Sequence, residues 1–233
     1  MFFLKNIIDF ISEIIFPKFC LGCGWIGLYL CDKCQKKIKD FDNHRCFYCH
    51  KKSLFGLTHP NCLKPDRFNG YMAFYQYNWL LKKIIKSLKY RLATQVWQEF
   101  KKNILLKKLS LIKNWGRIDY IHPVPIDKKK LNKRGFNQAL LISEYFNDFL
   151  RLKQGNFLVR KKERKPQANI SSKKIRKKNI KGCFLAINKE KIVNKNILLV
   201  DDVITTGATI EEITKVLRKA GAKNIFVLTL AKG

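Results

Sequence analysis

The chain of 233 residues carries 48 Lys+Arg against 17 Asp+Glu, a formal net charge of +31, and 46% of its residues are hydrophobic. That apolar content is ample for a packed core and excludes a disordered basic arm, and the length suits one ordinary domain or one plus a small module. Its 8 cysteines fall far below the density of a small disulfide scaffold, while the charge points to polyanions: nucleic acid, phosphorylated metabolites or an anionic membrane.

Part of the charge is compositional, since 38 Lys stand against 10 Arg in a chain also rich in Asn, Ile and Phe, residues that AT-rich codons supply. Its distribution is more telling. Residues 126–195 hold 21 basic and 5 acidic residues, whereas 196–233 hold 5 and 4.

In chain order, Leu4, Ile7, Ile8, Ile11, Ile14 and Ile15 recur at helical spacing, which predicts an amphipathic helix within residues 1–19, stopped at Pro17. Lys5, Asp9 and Glu13 interrupt its apolar run and no small-residue cleavage site follows, so no export signal or membrane span is expected. A cytoplasmic, reducing location follows, with cysteines on metal or as free thiols.

Seven cysteines lie between residues 20 and 62, as Cys20-x-x-Cys23, Cys31-x-x-Cys34, Cys46-x-x-Cys49 and His59-x-x-Cys62. Two intervening residues let both sulfurs of a knuckle face one ion, and eight ligands make two tetrahedral zinc sites. Sequential pairing gives Cys20/Cys23/Cys31/Cys34 and Cys46/Cys49/His59/Cys62. Spacing alone leaves a crossed pairing open, and His44 and His50 compete for the histidine position. Closed four-ligand sites stabilise small folds rather than perform chemistry, so both Zn2+ ions are expected to be structural within a module spanning 20–67. Cys183, in a short apolar run, reads as a small buried hydrophobe.

From residue 68 to the C-terminus, strands alternate with helices. A strand pair is expected at 68–77, two helices over 79–111, a strand at 117–124, a helix at 136–152, strands at 156–161 and 182–187, a strand at 196–201, a helix at 207–221 and a strand at 224–230. This alternation predicts a mostly parallel α/β sheet.

The most informative segment is Leu198-Leu-Val-Asp201-Asp202-Val-Ile-Thr205-Thr206-Gly207-Ala208-Thr209. A buried strand gives way to a helix, so the turn sits where free N–H groups and the helix dipole attract phosphate. Gly207 and Ala208 let the backbone approach, and Thr205, Thr206 and Thr209 add hydroxyls. Adjacent carboxylates would repel a phosphate, so Asp201 and Asp202 suit neighbouring sugar hydroxyls with a magnesium ion nearby. Together these describe a ribose 5-phosphate site. A Walker A loop is excluded, because no GxxxxGK[ST] is present.

This segment resembles the 5-phosphoribosyl-1-pyrophosphate motif of type I phosphoribosyltransferases. With the cysteine knuckles, the Leu88-Lys-Tyr-Arg91 stretch, Val124-Pro125 followed by Lys133-Arg134-Gly135-Phe136-Asn137-Gln138, and the terminal VLTLAKG, the whole chain resembles the competence protein F (ComF) family. The resemblance implies a type I phosphoribosyltransferase-like sheet domain over 68–233 preceded by a Cys-rich zinc-ribbon module. It also implies Mg2+-dependent binding of phosphoribosyl pyrophosphate, a role in bringing transforming single-stranded DNA into use, and competence proteins as partners. On the type I pattern, Val124, Pro125, Ile126, Asp127 and Lys128 hold pyrophosphate, with Arg134 as a further anion contact. A hood over the site would draw on Arg160, Lys165 and Arg176, within a stretch (160–181) of 11 basic residues and one acid. The same cations suit a nucleic-acid backbone, so an enzyme with an unassigned acceptor and a non-catalytic DNA-binding factor stand as two readings. His59-x-x-Cys62 departs from the second Cys pair commonest in the family.

Overall fold

The computed structural model describes residues 17–88, 93–161 and 179–233. Residues 1–16 of the expected N-terminal helix, residues 89–91, and Lys165 and Arg176 lie outside the described residues. Two compact units make up the chain: Met1–Lys39 with Asn78–Ile104, and Asp40–Tyr77 with Leu105–Gly233.

In the first unit the chain turns tightly around the first two cysteine pairs. Cys20 N donates to Trp25 O at 2.8 Å, Leu21 N donates to Tyr29 O at 2.9 Å, and a short helix α1 (Asp32–Gln35) carries the buried Cys34. Two longer helices follow, α2 (Trp79–Ser87) and α3 (Ala93–Lys101). Leu80, Leu81, Ile84 and Ile85 form the buried stripe of α2, with Lys82, Lys83 and Lys86 exposed, the pattern of a helix half immersed in a core. Its N-terminus is capped by Asn78, whose Oδ1 accepts from Leu81 N at 2.8 Å. Helix α3 ties back to the cysteine-rich segment: Tyr29 Oη donates to Gln95 Oε1 and Leu30 N to Glu99 Oε1, both at 2.6 Å.

The second unit is built on five strands: β1 (Gly70–Gln76), β2 (Tyr120–Pro123), β3 (Lys153–Gln154), β6 (Asn196–Ile204) and β7 (Asn224–Lys232). They run in the order β1-β7-β6-β2-β3 with every pairing parallel. This is the expected mostly parallel α/β sheet. Ile197, Leu198, Leu199, Val200, Ile225, Val227 and Leu228 are fully buried; strands covered on both faces read as unbroken apolar runs. A separate antiparallel ribbon joins β4 (Leu158–Arg160) to β5 (Phe184–Ala186). Helices of this unit include α4 (Lys128–Arg134), α5 (Gln138–Leu150) and α6 (Ala208–Lys219). Among the described residues, no helix is long and apolar enough to cross a membrane.

Three expectations are corrected. Residues 68–77 form one strand instead of a pair, because Gly70–Tyr75 are buried throughout and pair in parallel with β7. The free edge of β1 is covered by residues 40–57, where the Asn43 side chain both accepts from Ala73 N and donates to Ala73 O at 2.9 Å, so no exposed ladder is left for aggregation. Helical periodicity over 79–111 ends as α-helix at Lys101, and Leu106–Trp115 is a 3-10 helix. The half-buried Leu106 and the buried Leu109, Ile112 and Trp115 recur every third residue, matching three residues per turn. Finally, α4 fills the interval between the strand expected at 117–124 and the helix expected at 136–152, where no element was expected. Lys128–Arg134 has no apolar periodicity, but Asp127 caps its start by accepting from Lys129 N at 2.9 Å, and Gly135 ends it in the left-handed conformation (φ 79°).

Candidate functional site

The carboxyl ends of β2, β6 and β7 lie side by side in the second unit, the edge where parallel sheets bind ligands. Strand β6 extends past the predicted boundary and carries Asp201 and Asp202 within it, opposite Thr229 and the following residues of β7. Both carboxylates are half-buried, and each accepts from the next backbone amide: Asp202 N to Asp201 Oδ1 at 2.9 Å, Val203 N to Asp202 Oδ1 at 2.7 Å. Tyr77 lies close enough that, after burial, the Asp202 charge holds its phenol above the usual range.

Beyond Ile204 the chain turns through Thr205 and Thr206 into Gly207 (φ 79°, ψ −4°), the N-cap of α6, which carries no side-chain cap. A helix start without a capping side chain leaves its first-turn N–H groups for an anion. Thr206 Oγ1 reaches Ala208 N at 3.4 Å, a long contact that a better acceptor would displace. The end of β7 braces the turn. Gly233 N donates to Ile204 O at 2.9 Å, and Lys232 Nζ donates to Thr205 O at 3.2 Å. Lys232 belongs to the terminal VLTLAKG, which gave it no role of its own, and no motif singled out Tyr77.

The loop after β2 is drawn beside this turn. Pro123 pairs with Val200, and Val124 N donates to Val200 O at 2.8 Å, placing Val124 next to the acidic pair. Pro125 and Ile126 follow, then Asp127, buried as the cap of α4, and Lys128, exposed in its first turn. Asn137 ties the start of α5 to this loop: its Nδ2 donates to Val124 O at 3.0 Å while its Oδ1 caps Ala139 N at 3.1 Å. Sequence alone quoted Asn137 without a role. Arg134 Nη1 donates to Gln138 Oε1 at 3.1 Å. Arg160 sits at the end of β4 in the separate ribbon, its guanidinium 5.3 Å from the Phe184 ring centre.

The structure gathers the cysteine ligands into two groups, Cys20/Cys23/Cys31/Cys34 and Cys46/Cys49/His59/Cys62, each with its donor atoms within 4.8 Å of one another. The first belongs to the first unit and the second to the sheet-bearing unit. His44 packs beside Phe55, and His50 turns the second knuckle with φ 59°. The donor chemistry suits zinc. Cys31 Sγ stands 3.7 Å from the sulfurs of both Cys20 and Cys23, and two sulfurs on one tetrahedral Zn2+ at about 2.3 Å each stand about 3.8 Å apart. In the second group His59 Nδ1 is 3.2 Å from Cys49 Sγ, while its Nε2 donates to Lys52 O at 2.9 Å, the outer hydrogen bond that orients a metal-binding imidazole.

Electrostatics agree with this donor set. Burial raises the Cys20 thiol, but backbone N–H groups of Cys31, Cys23 and Gly22 more than reverse it, bringing Cys20 to about 6. Burial is likewise outweighed at Cys46, where the N–H groups of Cys49, His59 and Tyr48 bring it to about 7. Cys34 is pushed up to about 12 and Cys62 to about 11, by burial and then by the neighbouring sulfurs. Sulfurs this close cannot all be thiolate without a cation, and a divalent metal removes that repulsion.

The chain is similar to known proteins over most of its length. A family model described as phosphoribosyl transferase domain matches residues 142–233. Competence protein F of Haemophilus influenzae is 33% identical over 214 residues, covering 87% of this chain and 90% of that protein. Competence protein ComFC of Bacillus subtilis is 25% identical over 237 residues, covering 92% of each chain. DNA utilization protein YhgH of Escherichia coli K12 is 26% identical over 216 residues, covering 91% of this chain and 93% of that one. Among solved structures, the allosteric regulatory enzyme of purine biosynthesis aligns with a TM-score of 0.36 and 18% identity, over 53% of this chain and 24% of its own.

Proposed function

The chain belongs to the competence protein F family, and from that premise we propose that its second unit binds 5-phosphoribosyl-1-pyrophosphate with Mg2+ and that the protein acts in DNA uptake. One observation carries the ligand: a largely buried strand carries Asp201-Asp202 near its carboxyl end and runs through a left-handed Gly207 into a helix start without a side-chain cap.

In this reading the first-turn N–H groups of α6, with the hydroxyls of Thr205, Thr206 and Thr209, hold the 5-phosphate; Gly207 and Ala208 admit it to the backbone. Asp201 and Asp202 hold the ribose hydroxyls. Val124 to Lys128 and Arg134 hold the pyrophosphate, and Arg160, Lys165 and Arg176 close over it. Bound Mg2+ supplies counter-charge to the pyrophosphate. Transfer would break the bond between the anomeric carbon and pyrophosphate and form one to an acceptor nucleophile. The two carboxylates would offset the positive charge that develops on the ribose, in a setting where fixed charges act strongly. Structural zinc in both cysteine groups completes the proposal.

Calorimetry with Mg2+ tests it. Asp202→Asn removes a charge-assisted hydrogen-bond acceptor worth about 1.5–3 kcal/mol and is expected to weaken phosphoribosyl pyrophosphate binding about 10- to 100-fold; unchanged affinity overturns the reading. Pyrophosphate release with candidate bases, ammonia or DNA ends then identifies an acceptor.

A non-catalytic single-stranded-DNA-binding role has its own support. Trp25 is 75% exposed in the first cysteine-rich unit, and an exposed indole offers a stacking face to an unpaired base. Trp25→Ala is expected to weaken single-stranded DNA binding while leaving phosphoribosyl pyrophosphate affinity unchanged.

A further inference from the structure

The second cysteine group does more than close a loop of the chain. Between its ligands Cys46 and Cys49 stand Phe47 and Tyr48. The knuckle is tightly wound, with Cys46 N donating to Lys51 O and His50 N to Cys46 O, both at 3.0 Å. Its geometry drives Phe47 into the core of the sheet-bearing unit. The ring is buried and lies 4.9 Å from the Phe68 centroid and 5.2 Å from that of Tyr71.

The far edge of that ring meets the ligand turn. A methyl group placed on Gly207 would come within 2.9 Å of Phe47 Cε1 and 3.0 Å of Cζ, so the turn rests directly on the phenyl edge. Lys232, whose ammonium donates to Thr205 O, lies 5.5 Å from the same ring centre. Phe47 therefore meets the turn at Gly207 and lies near the lysine that bonds Thr205 O, and it stands between two of the gathered cysteine donors.

We propose that Phe47 is a positioning residue through which metal occupancy of the Cys46/Cys49/His59/Cys62 group sets the shape of the Thr205–Thr209 turn. The proposal builds on the phosphoribosyl reading for the ligand, but the mechanical link does not depend on it. With the metal bound, the knuckle is closed and the ring stays seated. With the metal removed, nothing draws the four donors together, the knuckle loosens, and the turn loses its floor. Thermodynamic coupling is reciprocal, so whatever binds the turn should also tighten retention of this metal.

The test uses the full zinc-loaded chain and the variants Phe47→Ala and Phe47→Leu. Amide hydrogen exchange over residues 204–210 reads the link directly. Phe47→Ala, with zinc content and the exchange of β6 preserved, is expected to speed exchange there about tenfold, the size of an ordinary coupling, and Phe47→Leu less. Exchange in the turn that does not change overturns the proposal. If Phe47→Ala does not fold, the wild type decides. Partial zinc extraction by a chelator should speed exchange in 204–210, and ribose 5-phosphate at saturation should slow loss of the second metal; neither change appearing overturns the link. Calorimetry separates the two ideas. Phe47→Ala should weaken ribose 5-phosphate and phosphoribosyl pyrophosphate by one common factor and leave pyrophosphate alone unaffected. A wild type that binds none of the three overturns the phosphoribosyl reading, and the exchange data still judge the link.

Discussion

His122 donates from Nδ1 to Pro123 O at 2.7 Å and accepts Leu158 N at Nε2 at 3.2 Å, so both ring nitrogens are satisfied by backbone in the neutral form. Burial holds it down at about 4, with the Pro123 carbonyl opposing. A histidine that stays neutral in the native state but protonates near 6.5 when unfolded makes stability rise with pH between those values. Stability is full above about pH 6.5 and falls as pH drops towards 4, by up to about 3 kcal/mol at 1.36 kcal/mol per unit. Urea denaturation across that window should show the slope, and His122→Gln should flatten it. At Gly207, the left-handed φ and the Phe47 ring both exclude a side chain. Gly207→Ala is expected to cost at least about 1–2 kcal/mol for the backbone conformation alone, read from the urea midpoint. The acidic pair and Gly207 were legible from residue type, because adjacent carboxylates and a glycine at a strand-to-helix turn stand out in the sequence itself. Asn137, Lys232 and Phe47 were not, since their roles come from what they touch.

At the scale of elements, α5 is held at its start by one residue with two duties. Asn137 caps the helix and grips the Val124 carbonyl. Asn137→Ala should therefore lower stability by about 1 kcal/mol and weaken pyrophosphate binding more than ribose 5-phosphate binding. Calorimetry with each ligand separates the two losses, and equal losses would show that the β2 loop does not act on its own. Helix α5 was readable because its apolar pattern is long and periodic, and strands β6 and β7 because theirs are unbroken apolar runs. Helix α4 and the 3-10 run were misread for opposite reasons. The first has no apolar stripe and depends on its Asp127 and Gly135 ends, while the second carries a period of three that resembles an irregular α-helical stripe over ten residues.

For the whole molecule, the charge is concentrated in residues 126–195, the segment that includes the β2 loop, α4 and the basic stretch. If that stretch tracks a nucleic-acid backbone, the logarithm of single-stranded DNA affinity should fall linearly with the logarithm of salt concentration, with a slope of about −0.7 per phosphate contacted. Neutralising lysines between 160 and 181 should make the slope shallower. A slope unmoved by those substitutions would assign the charge to the ligand site or to composition. Mass spectrometry under native conditions should find about two Zn2+ per chain on tetrahedral donor sets of this kind; a value near zero would overturn the metal assignment.

What the sequence by itself determined was local chemistry: the ligand types and spacings of the cysteine knuckles, the strand-to-helix switch at Asp201–Thr209, and the parallel α/β class. The first two are written within a few residues, and the third in the alternation of strand and helix patterns along the chain. Only the tertiary structure decided which knuckles gather their donors into one group, that the second group belongs to the sheet-bearing unit, and that Val124 lies beside the acidic pair. It alone set Phe47 beneath Gly207, a pair 160 positions apart. Contacts of that range leave no periodicity or spacing in a single chain, because they are fixed by sheet order and packing instead of by neighbouring residues.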